Sequence, residues 1–118
     1  MAFEPLQHLI RATRVSLIGL CGAYRREPAF RLELLVLMLV IPIGWFSTSV
    51  GVERALLIGS WMLVLVVEMI NSAIEAVVDR IGKEQHDLSR TAKDLGSAAV
   101  FCSIVLSVTV WIVILFLG

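Results

Sequence analysis

Glu68-Met69-Ile70-Asn71-Ser72-Ala73-Ile74-Glu75-Ala76-Val77-Val78-Asp79 follows directly on 13 uncharged residues, Ala55 to Val67, so three carboxylates and an amide stand at the end of a segment apolar enough to enter a membrane. At 100° per residue, Glu68, Asn71, Ser72, Glu75 and Asp79 share one helical face. The apolar part alone is too short to cross about 30 Å of hydrocarbon as a helix, so a span here has to continue through Glu68 and Glu75 toward Asp79. The acid face then sits at or near one membrane surface. Ionisable groups in that position are costly unless they have a partner, a cation or a water-filled site, which makes the face a functional one by default.

The rest of the chain agrees with a membrane setting. Its 118 residues are 58% hydrophobic and only 17% charged, with a mean hydropathy of +0.91, too apolar for an ordinary soluble domain of this length. Leu34 to Val52 carries no charge for 19 residues and Leu95 to Gly118 none for 24, each enough for a membrane-crossing helix. These give a first span at about 30–49, a second at about 54–79 and a third at about 91–117. Pro42 and Gly44 are tolerable inside such a helix, and Ser47, Thr48, Ser49 and Gly51 mark a turn after it. The polar run from Asp79 to Asp94 reads as the loop between the second and third spans. Trp45, Trp61 and Trp111 fit either interfacial or bundle positions.

Ahead of the first span, Leu6, Leu9, Ile10, Thr13, Leu17, Leu20 and Tyr24 recur at helical spacing, with Arg11 and Arg14 off the stripe. Residues of about 4–26 therefore read as an amphipathic helix lying in the membrane surface, or packed on a partner, and ended by Pro28. No cleavable signal peptide is evident. Arg11, Arg14, Arg25, Arg26 and Arg31 precede the first span, and Arg80, Lys83, Arg90 and Lys93 lie between the second and third. The first loop holds only Arg54, so the amino terminus and second loop are expected in the cytoplasm and the carboxyl end outside. The fold expected is thus a single all-α integral membrane domain over 1–118, with three transmembrane helices after a surface helix.

Carboxylates at i, i+7 and i+11 with an Asn at i+3 can hold Mg²⁺, which takes hard oxygen ligands and keeps waters and substrate phosphates around it. Lys93 and Asp94, at the mouth of the third span, can add a phosphate partner. Glu27 is a further acid near the same surface, although Arg31 at i+4 can simply pair with it. Glu33, Glu53, Glu84 and Asp87 read as solvated acids. Glu68 does not, because it lies about 16 Å inside Asp79 along a helix. A proton-carrying acid, as in a small transporter, fits it as well. Neither a P-loop nor a kinase glycine loop is present. His8 and His86 are the only histidines and lack spaced partners, and Cys21 and Cys102 have no metal-ligand spacing, so zinc and nucleophilic-triad chemistries are excluded and both cysteines read as packing residues.

Taken together, Glu68-x-x-Asn71-Ser72-Ala73-Ile74-Glu75-x-x-Val78-Asp79 and Ala92-Lys93-Asp94-x-Gly96-Ser97-Ala98-Ala99 resemble the prokaryotic diacylglycerol kinase family over about 29–117. That resemblance implies a homotrimeric kinase of the bacterial inner membrane, with composite sites at protomer boundaries. Its substrates would be MgATP and diacylglycerol, its product phosphatidic acid, and no nucleic-acid partner is expected. It makes Glu68 the general base, Glu27 and Glu75 the Mg²⁺ ligands, Asn71 an orienting group, Asp79 a support and Lys93 the group that steadies the transferred phosphoryl. Asp94, Glu33 and His86 are implied near the ATP. Where relatives often carry a phosphate-binding arginine in the leader, this chain has His8, with Arg11 one turn on. A related fold acts on undecaprenol, but Arg80-Ile81-Gly82 and Gly96-Ser97-Ala98-Ala99 are closer to the diacylglycerol type. The proton-coupled transporter is the alternative of a different class, and it leaves Asn71 and Lys93 without a role.

Overall fold

A computed structural model describes residues 4–82 and 86–118, and every regular element among them is helical. Lys83 and Glu84 lie outside the described residues. Helix α1 spans Glu4–Arg26, α2 Pro28–Ser47, α3 Gly51–Ile81 and α4 Asp87–Ile112, and α4 runs on into a π-helical turn at Val113–Leu117. Three helical stretches, Pro28–Ser47, Gly51–Ile81 and Asp87–Leu117, are long and apolar enough to cross a membrane.

The breaks between helices have local causes. Pro28 opens α2, where its missing N–H costs nothing, and Glu27 is left in extended backbone between α1 and α2. Arg31 does not pair with Glu27. Its Nη1 donates instead to the carbonyls of Tyr24 at 2.9 Å and Arg25 at 3.0 Å, caps the end of α1 and so fixes the corner. At the next corner Thr48 Oγ1 accepts from the Val50 amide at 3.1 Å and donates to Glu53 at 2.6 Å. Arg54 Nε donates to the Trp45 and Thr48 carbonyls, both at 2.9 Å, with its guanidinium 4.3 Å from the Trp45 ring centroid. Glu53 is therefore a partnered acid rather than a merely solvated one.

Much of the polar run expected as the second loop is helical. Helix α3 extends through Asp79 to Ile81, and α4 starts already at Asp87, capped by the His86 ring, which accepts from the Leu88 amide at 3.1 Å. A polar residue is no obstacle to a helix once the helix has left the apolar layer, and the cap supplies the start. Polarity marks where the membrane ends, not where the helix ends.

The three apolar helices pack as a small bundle centred on α3. Leu57 and Val64 are fully buried there, and Phe30, Leu65 and Val78 nearly so. Small and polar groups bring α3 and α4 together: Ser60 and Ser107 share a buried hydrogen bond of 3.0 Å, and Trp111 Nε1 donates to the Leu57 carbonyl at 3.0 Å. Trp61 Nε1 donates to the Glu33 carbonyl at 2.8 Å and ties α3 to α2. Trp61 and Trp111 are thus bundle residues. The other faces of these helices are widely apolar and exposed in the single chain.

Candidate active site

The acid face of α3 looks toward α1, α2 and α4 at the end of the bundle where the chain leaves the apolar layer. Glu68 is only 7% exposed and Asn71 only 8%, whereas Ser72 and Glu75 are half-buried and Asp79 is exposed, so polarity is graded along the face from deep to shallow. Glu33 enters from α2. It is 8% exposed, and its carboxyl meets that of Glu68, so it is not a solvated acid. Glu33 Oε2 is buried without a hydrogen-bond partner among the described residues.

Asn71 joins the deep and shallow parts of this face. Its Nδ2 donates to Glu75 Oε1 at 3.2 Å, while its Oδ1 is buried without a partner among the described residues. Gly96 of α4 lies against this amide, so closely that a Cβ on Gly96 would collide with Asn71 Oδ1. Three residues earlier on α4, Lys93 Nζ binds Asp79 Oδ1 at 2.7 Å, an ion pair with both side chains well exposed. Spacing of three residues sets Lys93 and Gly96 on the same side of α4, one over the shallow end of the acid face and one over its middle.

Between α1 and α3 lies a cavity of about 820 Å³. Small residues, Ser16, Gly19 and Ala23 from α1 and Ser72, Ala73 and Ala76 from α3, make up much of its wall beside Leu20 and Met69, and its acids are Glu27, Glu75 and Asp79. Glu27 and Glu75, on different helices, thus face one space. No group of three or more acid, His or Cys side chains that could by itself hold a metal ion occurs among the described residues. Two carboxylates suit an ion such as Mg²⁺, which fills most of its shell with water and phosphate oxygens.

The implied site residues therefore fall into three sets. Glu27, Glu75 and Asp79 line the cavity, with Lys93 tied to Asp79. Glu33, Glu68 and Asn71 form the buried polar group behind it. His8, Arg11, His86 and Asp94 are exposed and do not line the cavity of their own chain. Arg26, in sequence one of five arginines ahead of the first span, does line it. Its signal was its place beside Glu27, which nothing distinguished from Arg25.

A model of the family described as prokaryotic diacylglycerol kinase matches residues 14–115. The chain is 47% identical over 111 residues to the diacylglycerol kinase of Haemophilus influenzae, covering 94% of each. It is 48% identical over 107 residues to that of Escherichia coli, covering 91% of this chain and 88% of the relative. With the Pseudomonas aeruginosa diacylglycerol kinase it shares 44% over 110 residues, covering 93% and 89%. A match of this length and identity means that this chain belongs to the prokaryotic diacylglycerol kinase family.

Proposed function

We propose that the chain transfers the γ-phosphoryl group of ATP to the free hydroxyl of diacylglycerol, giving phosphatidic acid and ADP. The observation that carries this reading is the pairing of a buried carboxylate, Glu68, on a membrane-crossing helix with an adjoining acid-lined cavity whose first acid on that helix, Glu75, stands two turns farther along the same face. A lipid alcohol reaches the first from the apolar layer and a nucleotide reaches the second from the aqueous side.

Glu68 takes the hydroxyl proton. The lipid oxygen then forms its bond to the γ-phosphorus as the bond from that phosphorus to the β–γ bridging oxygen breaks, and ADP carries away the electron pair. Glu33, in contact with Glu68, is the group next to the arriving proton. Asn71 holds Glu75 through its Nδ2 and keeps Oδ1 inward, which fixes the carboxylate relative to the base. Glu27 and Glu75 are the residues that would hold Mg²⁺, which when bound offsets charge on the phosphate oxygens. Lys93 is kept near the shallow end by Asp79, within reach of a phosphoryl group that competes for its ammonium. His8, Arg11, His86 and Asp94 attend the nucleotide, and a homotrimer lets them do so across protomer boundaries. The chain is placed in the inner membrane with its amino terminus and acid face on the cytoplasmic side.

Phosphorylation of diacylglycerol and of undecaprenol by the purified protein in mixed micelles tests this reading, with Glu68→Gln as the control. Turnover of diacylglycerol that is lost in Glu68→Gln is the expected result. Turnover of undecaprenol alone would move the acceptor to that lipid, and no ATP-dependent product from either would overturn the kinase reading.

A further inference from the structure

We propose that Arg26 is a ligand for the phosphate oxygens of the nucleotide, a contact that rests on the lipid-kinase reading and adds a residue to which that reading gave no role. Among the residues lining the α1/α3 cavity, the acids are Glu27, Glu75 and Asp79 and the only cation is Arg26. Lys93 does not line the cavity and is engaged by Asp79 at 2.7 Å. A space bounded by three carboxylates repels a polyphosphate unless cations intervene, and an ion held by Glu27 and Glu75 leaves part of that charge uncompensated. Arg26 is placed to supply the remainder as a fork of fixed donors, the geometry that suits phosphate.

Its guanidinium is both free and positioned. Among the described residues Arg26 makes no ion pair and no side-chain hydrogen bond, unlike Arg31 and Arg54, whose donors are spent on backbone carbonyls. It lies back along α1 over Gly22, where a Cβ would stand 2.5 Å from Arg26 Nη2 and 3.4 Å from its Cζ. Gly22 and Arg26 line this cavity and also the adjoining groove beside Arg14 and Arg25, so the missing side chain at Gly22 leaves the guanidinium room at the border of the cavity. His8 and Arg11, the leader residues implied for the phosphates, lie about 27 Å and about 22 Å along α1 from Arg26. In its own chain the cavity therefore draws its cation from the end of α1 nearest Glu27.

Binding of β,γ-methylene-ATP with Mg²⁺ to the full-length protein in detergent micelles, read by titration calorimetry, tests the contact without turnover. Arg26→Gln is expected to weaken binding by about tenfold to a hundredfold, the effect of losing a charge-assisted hydrogen bond. Arg26→Lys should recover part of it, because a point charge replaces the fork. Gly22→Ala is helix-compatible and puts a methyl group where the guanidinium rests, so it should weaken binding in the same direction with Arg26 intact. In the turnover assay the KM for MgATP should rise in Arg26→Gln and the KM for diacylglycerol should not. Wild-type affinity in Arg26→Gln overturns the proposal, as does a rise confined to the lipid KM. If wild type binds the analogue in an Arg26-dependent way yet phosphorylates no diacylglycerol, the contact stands and the acceptor assignment fails.

Discussion

Glu68 and Glu75 stand two turns apart on one helix face, and their surroundings differ. Glu68 is buried against Glu33 and apolar neighbours, whereas Glu75 is half-buried, held by Asn71 and open to the cavity. Glu68→Gln is therefore expected to lower turnover by about 10²-fold or more while MgATP binding persists, the usual cost of losing a general base. Glu75→Gln should act mainly on MgATP affinity. Retention of more than about a tenth of wild-type turnover in Glu68→Gln would remove it as the base. Gly96 gives a second test at this scale, because its lack of a side chain is what leaves room for the Asn71 amide. Gly96→Ala pushes that amide and with it Glu75, and a displacement of this kind is expected to cost about 10²-fold in turnover. Gly96→Ala activity equal to wild type, at unchanged expression, would mean that Asn71 orients nothing. The acids, Asn71, Lys93 and Gly96 were all visible in the sequence as a spaced motif. The contact of Glu33 with Glu68 and the exposure of Arg26 to the cavity were not, since both depend on how α1 and α2 meet α3.

At the scale of elements, periodicity and charge-free length pointed to a surface helix and three spans, and polarity alone misled about the stretch between the last two. The run from Asp79 to Asp94 looked like a loop because it is polar, yet a capped helix leaving the membrane can be polar on all sides, and Asp79 and Lys93 pair there as residues of two facing helices. That pairing needs helical geometry on both sides. What holds α3 to α4 is close approach over small side chains, with Ser107 only 1% exposed against Ser60. Lipid offers no hydrophobic drive for this seam, so packing and polar contacts carry it. Ser107→Ala gives up one interhelical hydrogen bond, about 0.6 kcal/mol. Ser107→Leu overfills the seam and should destabilise by about 1–3 kcal/mol. Unfolding of the protein from mixed micelles by titration with SDS measures both; equal midpoints for Leu and wild type would show that this seam is looser than its burial implies.

For the whole molecule, the side of α4 that each residue occupies becomes decisive. Lys93 faces Asp79 and Gly96 faces Asn71, both within the same chain, while Asp94 is turned about 100° from Lys93 and is exposed. If Asp94 serves the nucleotide, as the family resemblance implies, it serves it in a neighbouring protomer, and the wide apolar faces left open in the single chain are where such neighbours would pack. A chain with Glu68→Gln and a chain with Asp94→Asn should each be inactive as a pure assembly. Unfolded, mixed in equal amounts and reassembled, they should regain about a quarter of wild-type activity, because half of the chains bring an intact Glu68 and half of their neighbours an intact Asp94. Mixed assemblies that stay as inactive as the parents, while wild type survives the same treatment, would put Asp94 in the site of its own chain. That result would require α4 to rotate relative to α3 and would break the Lys93–Asp79 pair, which a cysteine cross-link between these two positions would report directly.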